Sequence, residues 1–233
     1  TNTVKRKATA TITQLPGGTT NLRFYSMSGI IILAAGASTR LGRPKQLLAY
    51  NNKTLLQHTI DAAVNTGSQA IVVVLGHSAE IIKNEITDKK IEIVINSLWR
   101  EGMASSIRTG LSTLMQLQPD LKDVILLVSD QPFVTSELLT ALENQRTKTG
   151  KDIITSYYNE QPGVPALFSS KFFPELLQLE GTQGAKKLFT KHKESVLSIP
   201  FLLGNIDIDT IKDYEDLINM KNALGKEYFD TWC

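Results

Sequence analysis

A chain of 233 residues, 42% hydrophobic and 21% charged, has a globular balance and enough length to bury a substantial core. Its formal charge of +2 argues against a dedicated polyanion binder, and with nothing global to recommend it no nucleic-acid partner is expected. The single cysteine, Cys233, excludes an internal disulfide framework and a cysteine metal cluster, which fits a reducing cytoplasm, and no apolar run approaches the roughly 20 residues of a membrane helix.

In chain order, Lys5-Arg6-Lys7 and a Thr-rich stretch precede Met27-Ser28-Gly29, which reads as a natural start. Residues 1–26 therefore read as an N-terminal extension, with an edge strand over Ala8–Leu15 left open by its partial Thr/apolar alternation. Residues 27–233 read as a single domain, without internal repeat or linker. The run Ile30–Leu33 predicts a buried strand. Leu56, Ile60, Ala63 and Val64 share one face of a helix expected from about Thr54. Ala70–Leu75 predicts a second strand, Ser78–Thr87 a helix and Ile91–Ile95 a third strand. Ile107, Leu111, Leu114 and Met115 mark the next amphipathic helix. Val124–Val128 is the most apolar strand, expected at the centre of the sheet. Thr135 is placed to cap a helix carrying Leu138, Leu139 and Leu142.

The second half is less regular. Ile153–Tyr157 and Val164–Phe168 read as strands around a polar turn, and Lys171–Leu179 and Gln183–Lys191 as helices. Val196–Ile199 and Asn205–Ile208 read as short strands before a closing helix over Thr210–Asn222. Alternating β and α segments with continuous apolar strands imply an α/β fold, a mostly parallel sheet with helices on both faces. Ligands of such sheets bind beyond the carboxyl ends of the strands.

Three segments that follow strands carry the chemistry. Leu33-Ala34-Ala35-Gly36-Ala37-Ser38-Thr39-Arg40-Leu41-Gly42-Arg43-Pro44-Lys45 joins small residues, which let backbone N–H groups approach an anion, to three cations. It is neither a Walker A loop, since Lys45 comes three after Gly42 and is followed by Gln46, nor a G-x-G-x-x-G fingerprint. Asp130, in Leu127-Val128-Ser129-Asp130-Gln131-Pro132, could ligate Mg²⁺ or cap a turn with equal ease. Asp207 and Asp209 alternate along a predicted strand end, so only one would face Asp130, and Asp209 could instead cap the last helix. Asn96, Gly102, Ser105 and Ser106 join a strand to a helix N-terminus, where they could bind an anion, read a base or serve only as loop and cap. His58, His77 and His192 have no ligand spacing, and Trp99 reads as a loop anchor.

The first loop matches L-A-A-G-x-S-x-R-x-G-x-x-K, and here the chain resembles the MobA/MocA-like nucleotidyltransferases. The likeness extends through Asn96 to Ser106 and through Asp207-Ile208-Asp209-Thr210-Ile211-Lys212-Asp213-Tyr214. It implies a three-layer Rossmann-like nucleotidyltransferase fold. It implies nucleotide binding by Leu33, Ala34, Ala35, Gly36, Ser38, Arg40, Lys45, Asn96, Gly102 and Ser105. Arg40, Lys45 and Asp130 would be catalytic, with Mg²⁺ on Asp130 and Asp209. Gln161 to Phe168 and Gly181 to Lys186 are similar to acceptor segments, implying acceptor roles for Gly163, Pro165, Gly184 and Lys186. Thr182 and Lys186 stand where that pattern has Asp and Arg, and Arg and Lys differ at bidentate phosphate sites.

Ala34-Ala35-Gly36, rather than Ala-Gly-Gly, is similar to the molybdenum-cofactor cytidylyltransferase branch. That branch implies CTP as donor, molybdopterin as acceptor, and a client molybdoenzyme or its chaperone as partner. A sugar- or polyol-phosphate acceptor, and a non-catalytic module that binds nucleotide and delivers cofactor, remain as alternatives.

Overall fold

The computed structural model describes residues 28–229 apart from Gln183, with side chains as far as Met220. The expectations for residues 1–26 lie outside it. The chain runs through β1 (Ser28–Ala34), a short ribbon of β2 (Ala49–Tyr50) and β3 (Lys53–Thr54), α1 (Leu55–Asn65), β4 (Ile71–Leu75), α2 (Ala79–Asn84), β5 (Glu92–Ile95), α3 (Met103–Leu117) and β6 (Asp123–Val128). It continues through α4 (Ser136–Thr149), β7 (Ile153–Tyr158), β8 (Gln161–Ser169), α5 (Phe173–Leu177), α6 (Lys186–Lys191), β9 (Val196–Pro200) and α7 (Ile211–Phe229).

The seven-stranded sheet has the order β5-β4-β1-β6-β8-β7-β9. β1 pairs in parallel with β4 and β6, β4 with β5, and β7 with β9, while β8 alone runs antiparallel to its neighbours. Alternation along the strands divides the core. Ile30, Ile32, Val73, Leu75, Ile125 and Leu127 face α1, α2, α4 and α7. Ile31, Leu33, Val72, Val74, Val124 and Leu126 face α3, α5 and α6. β1 is buried along its whole length, which is why its sequence is apolar without alternation. This is the three-layer α/β nucleotidyltransferase fold that the sequence implied.

Local signals set the helix starts. The Thr54 hydroxyl accepts from the Gln57 N–H at 3.1 Å, and Thr135 accepts from Leu138 at 3.3 Å. Three expectations need correction. α2 ends at Asn84, and Ile86 leaves the helix to pack against the core. α6 begins only at Lys186. Residues 205–208 form a loop rather than a strand. Ile208 is fully buried, and its N–H reaches the Asp130 carbonyl at 3.1 Å, so this stretch is held by a tertiary contact instead of a ladder.

The strand order reverses direction at β1. The chain first builds outward to β4 and β5, then crosses back to place β6 on the other side of β1. Such a switch point opens a crevice at the carboxyl ends of the two adjoining strands. The loops after β1 and β6 meet there, and the Ser129 N–H donates to the Leu33 carbonyl at 3.2 Å.

α3 lies close against the sheet through Gly110, where an added Cβ would sit 2.7 Å from Ile31 Cγ2 and 2.9 Å from Val74 Cγ2. These methyls branch at Cβ and have little freedom to move aside. Gly110→Ala should therefore destabilise the protein by about 1–3 kcal/mol despite alanine's better helix propensity. Urea unfolding would register this as a lower midpoint at unchanged slope; equal or greater stability would contradict the packing argument.

Candidate functional site

The loop after β1 is shaped by its own polar groups. Ser38 takes a positive φ of 51°, and its hydroxyl accepts the Lys45 N–H at 3.1 Å. Gln46, only 1% exposed, donates from Nε2 to the carbonyls of Ala34 at 2.8 Å and Gly36 at 3.3 Å. Ser38 thus supports the loop, and Gln46, which the sequence reading passed over, clamps it. The small residues from Leu33 to Ala37 form one wall of a cavity of about 340 Å³. Trp99, Arg100, Gly102, Met103 and Ser106 form the opposite wall, with Lys45, Ser129 and Asp130 also lining it. Trp99 is half-buried, and the Arg100 guanidinium lies 4.4 Å from its ring centre. Trp99 therefore faces the cavity as well as anchoring the loop.

Lys45 joins two carboxylates from distant parts of the chain. Its ammonium lies 2.5 Å from Asp130 Oδ2 and 2.6 Å from Asp209 Oδ1. Burial alone would lower the Lys45 pKa, but the Asp130 and Asp209 carboxylates outweigh it and hold the group above its ordinary value. Arg40 lies 3.5 Å from the other oxygen of Asp209. Arg43 is drawn aside onto the Tyr214 ring, 5.8 Å from its centre, while the Tyr214 hydroxyl donates to the Ala49 carbonyl at 2.7 Å. These two contacts fasten the start of α7 beside the loop.

Asp209 is not spent as a helix cap. Thr210 and Asp213 form a reciprocal box. Asp213 accepts from the N–H groups of Asp209 at 3.1 Å and Thr210 at 2.7 Å, and the Thr210 hydroxyl accepts from the Asp213 N–H at 3.2 Å. The Thr-x-x-Asp spacing signals this box in the sequence. Asp207 also lies near the pair. Burial first, then the Asp130 and Asp209 charges, push its pKa up. The expectation that Asp207 and Asp209 part to opposite faces is therefore corrected, because the segment is not a strand.

The Asn96–Ser106 segment divides into two layers. Asn96 is buried, donates to the hydroxyls of Ser105 at 2.8 Å and Ser106 at 3.0 Å, and accepts from the Leu98 N–H at 2.9 Å. The Ser105 hydroxyl turns to the carbonyls of Leu98 and Gly102. Asn96 and Ser105 thus hold the loop from behind, and Gly102 and Ser106 reach the cavity. Gly102 has φ +108°, and a Cβ there would lie 2.6 Å from the Gly181 carbonyl oxygen.

The residues expected on the acceptor side are dispersed. Gly163 and Pro165 are buried in the β7–β8 hairpin. Gly184 lies under Met103, whose sulfur would be 2.7 Å from a Cβ there. Lys186 lines a separate hollow of about 380 Å³ with Gln161, Pro162 and Phe189, because α6 packs on the face of β8. These residues do not converge on the cavity, and three of the four act through packing. The described residues hold no cluster of three or more His, Cys, Asp or Glu arranged to bind a metal, and no helix among them is long and apolar enough to cross a membrane.

A switch-point cavity with a small-residue loop on one wall and carboxylates at its end defines a protein that handles nucleoside triphosphates. The chain belongs to the MobA-like NTP transferase domain family, whose model matches residues 30–196. Its fold is similar to Rv0371c from Mycobacterium tuberculosis H37Rv, with 30% identity, a TM-score of 0.72, and coverage of 83% of this chain and 100% of that one. A structure of Rv0371C in complex with manganese aligns at 27% identity and a TM-score of 0.70, over 84% and 100% of the two chains. The molybdopterin-guanine dinucleotide biosynthesis protein A of Archaeoglobus fulgidus shares the fold at 18% identity and a TM-score of 0.62, over 82% and 97%.

The Thr210–Asp213 box yields a pH signature. Burial would raise the Asp213 pKa, but the bonds from Thr210 and Asp209 outweigh it and hold it below the ordinary aspartate range. A depressed carboxylate contributes stability that is complete above the unfolded-state pKa and is lost as pH falls through the folded one. Asp213→Ala should cost about 1 kcal/mol at neutral pH, with the gap to the parent closing in acid. Denaturant titrations over a pH series would test this; a gap that stays constant into acid would argue against a charged cap.

Proposed function

We propose that this protein is a divalent-metal-dependent nucleotidyltransferase that moves CMP from CTP to the phosphate of molybdopterin, releasing pyrophosphate. The observation that carries this reading is the Lys45 ammonium held between Asp130 Oδ2 and Asp209 Oδ1 at the end of the cavity. Both carboxylates already converge on one cation, at 2.5 and 2.6 Å from Lys45 Nζ, which marks a single position where a metal ion could take the place of the ammonium. The donors are all oxygen, which suits Mg²⁺ or Mn²⁺, and two carboxylates leave the remaining positions to water and phosphate. Manganese in the related Rv0371C structure is consistent with this donor set. Asp130 and Asp209 would hold the metal, which when bound would offset charge on the phosphates.

The chain's own groups do the positioning. Small residues from Ala34 to Ala37 leave room for the triphosphate against their backbone. Lys45, which lines the cavity, would turn to the β and γ phosphates, and the exposed Arg40 beside Asp209 would do the same. An oxygen of the acceptor phosphate attacks the α-phosphorus in line. The bond from that phosphorus to the bridging oxygen breaks, and pyrophosphate carries the electron pair away. A phosphate acceptor is ionised at neutral pH, so no general base is needed. The absence of any such role for His58, His77 and His192 fits this chemistry.

The choice of CTP rests on Ala35. Ala35 lines the cavity together with Trp99 and Met103, and a methyl there in place of a glycine hydrogen leaves less space for a base, which favours a pyrimidine. Asp130→Ala should reduce metal-dependent pyrophosphate release by at least about a hundredfold. Lys45→Ala should do so while leaving metal affinity intact or stronger. Pyrophosphate assays with CTP and GTP on molybdopterin test the substrate. A clear GTP preference sinks the cytidylyl assignment, turnover only on sugar or polyol phosphates moves the acceptor, and nucleotide binding without any release points to a delivery module.

A further inference from the structure

Tyr158 ends β7 near the carboxylates, outside the cavity. The hairpin that carries it is irregular: Thr155 pairs with Ala166 and Ser156 with Gly163, so Val164 and Pro165 are extra residues in β8. Pro165 has no N–H to leave unpaired, and its carbonyl accepts the Ser156 hydroxyl at 2.8 Å. The Tyr158 hydroxyl oxygen sits against this irregular stretch, beside Gly163. Gln131, the residue after Asp130, donates to the same oxygen at 3.2 Å and to the Gly204 carbonyl at 2.8 Å.

The ring has little freedom. A Cβ on Gly163 would lie 2.3 Å from the hydroxyl oxygen, and one on Gly204 would lie 2.4 Å from the ring edge. Phe201 meets the ring edge-on at 6.0 Å. The phenol oxygen therefore accepts the Gln131 N–H in a fixed pose. Its own hydrogen finds no acceptor among the described residues. Burial, and the nearby charges of Asp207 and Asp130, raise the phenol pKa and keep that hydrogen in place at neutral pH. The result is an oriented O–H donor beside the two carboxylates, with nothing yet to receive its bond.

The sheet order decides which substrate it serves. Counting from the loop after β1, β6 with Asp130 comes next, then β8, then β7 with Tyr158. The donor loop and Tyr158 thus flank Asp130 from opposite sides. We propose that the Tyr158 hydroxyl donates a hydrogen bond to an oxygen of the acceptor's phosphate monoester. This rests on the nucleotidyltransferase reading above, and it gives Gly163, Pro165 and Gln131 a shared purpose, which is to seat and aim that hydroxyl.

Tyr158→Phe removes the donor and keeps the ring. The test uses the full chain with Mn²⁺, phenyl phosphate as the monoester probe without nucleotide, and CTP in a separate titration, all by calorimetry. The expected result is phenyl phosphate binding weakened about tenfold, with CTP affinity and thermal midpoint unchanged. Equal phenyl phosphate affinity in parent and variant, or none in the parent, would overturn the proposal. So would a parallel loss of CTP affinity, which marks a purely structural role. Gln131→Leu, which loosens the aim but keeps the donor, should weaken phenyl phosphate by a smaller factor. A parent that binds phenyl phosphate but not CTP would count against the transferase reading alone.

Discussion

The geometry of the site depends on one charge relationship, the Lys45 ammonium set between Asp130 and Asp209. The three residues are separated by 85 and 164 positions in sequence, and each arrives on a different element. Without the cation, two carboxylate oxygens held within about 5 Å of each other by these contacts would repel by about 3 kcal/mol or more in a partly buried setting, before Asp207 is counted. The fold overcomes this by fastening the backbone of each partner. The Ile208 N–H is tied to the Asp130 carbonyl, the Thr210–Asp213 box fixes the turn at Asp209, and Ser38 with Gln46 fixes the turn at Lys45. The side chains are left to satisfy charge, and charge is what a metal and a triphosphate would exchange.

That economy explains why so much of the loop after β1 could be read from sequence. A loop that must bring backbone N–H groups near an anion has few residue choices, so Leu33 to Gly36 and Lys45 form a compact local pattern. Strand ends beside it are equally legible, since buried parallel strands are continuous apolar runs. Asp130 was legible for the same reason: it follows the most apolar strand and so had to lie at the carboxyl edge. Asn96 and Ser105 illustrate the limit. Their types suited ligand contact and loop support equally, and only the closed network among Asn96, Ser105 and Leu98 decides for support.

The late aspartates were misread through periodicity. Alternation placed Asp207 and Asp209 on opposite faces, which holds only for a strand with ladder partners. Residues 205–208 have none, since β9 already ends at Pro200 and the chain leaves the sheet edge. A loop has no period of two, so both carboxylates can approach Asp130. Burial first, and then that crowding with Asp130 and Asp209, raise the Asp207 pKa.

The residues expected to hold the acceptor were misplaced for a deeper reason. Gly163 and Pro165 look like ligand residues because Gly and Pro often mark loops that touch substrate. Here they mark an irregularity in pairing, and their effect passes to Tyr158, a residue with no motif around it. Whether a strand tyrosine is a packed ring or an aimed donor depends on what the irregular pairing brings against its hydroxyl. Sequence does not carry that information, because a register shift of two residues is set by the pairing of both strands together. An irregular pair is therefore where sequence reasoning should expect to miss function. Here the residue without a motif is the one whose hydroxyl the irregular stretch seats against Gly163 and Gln131.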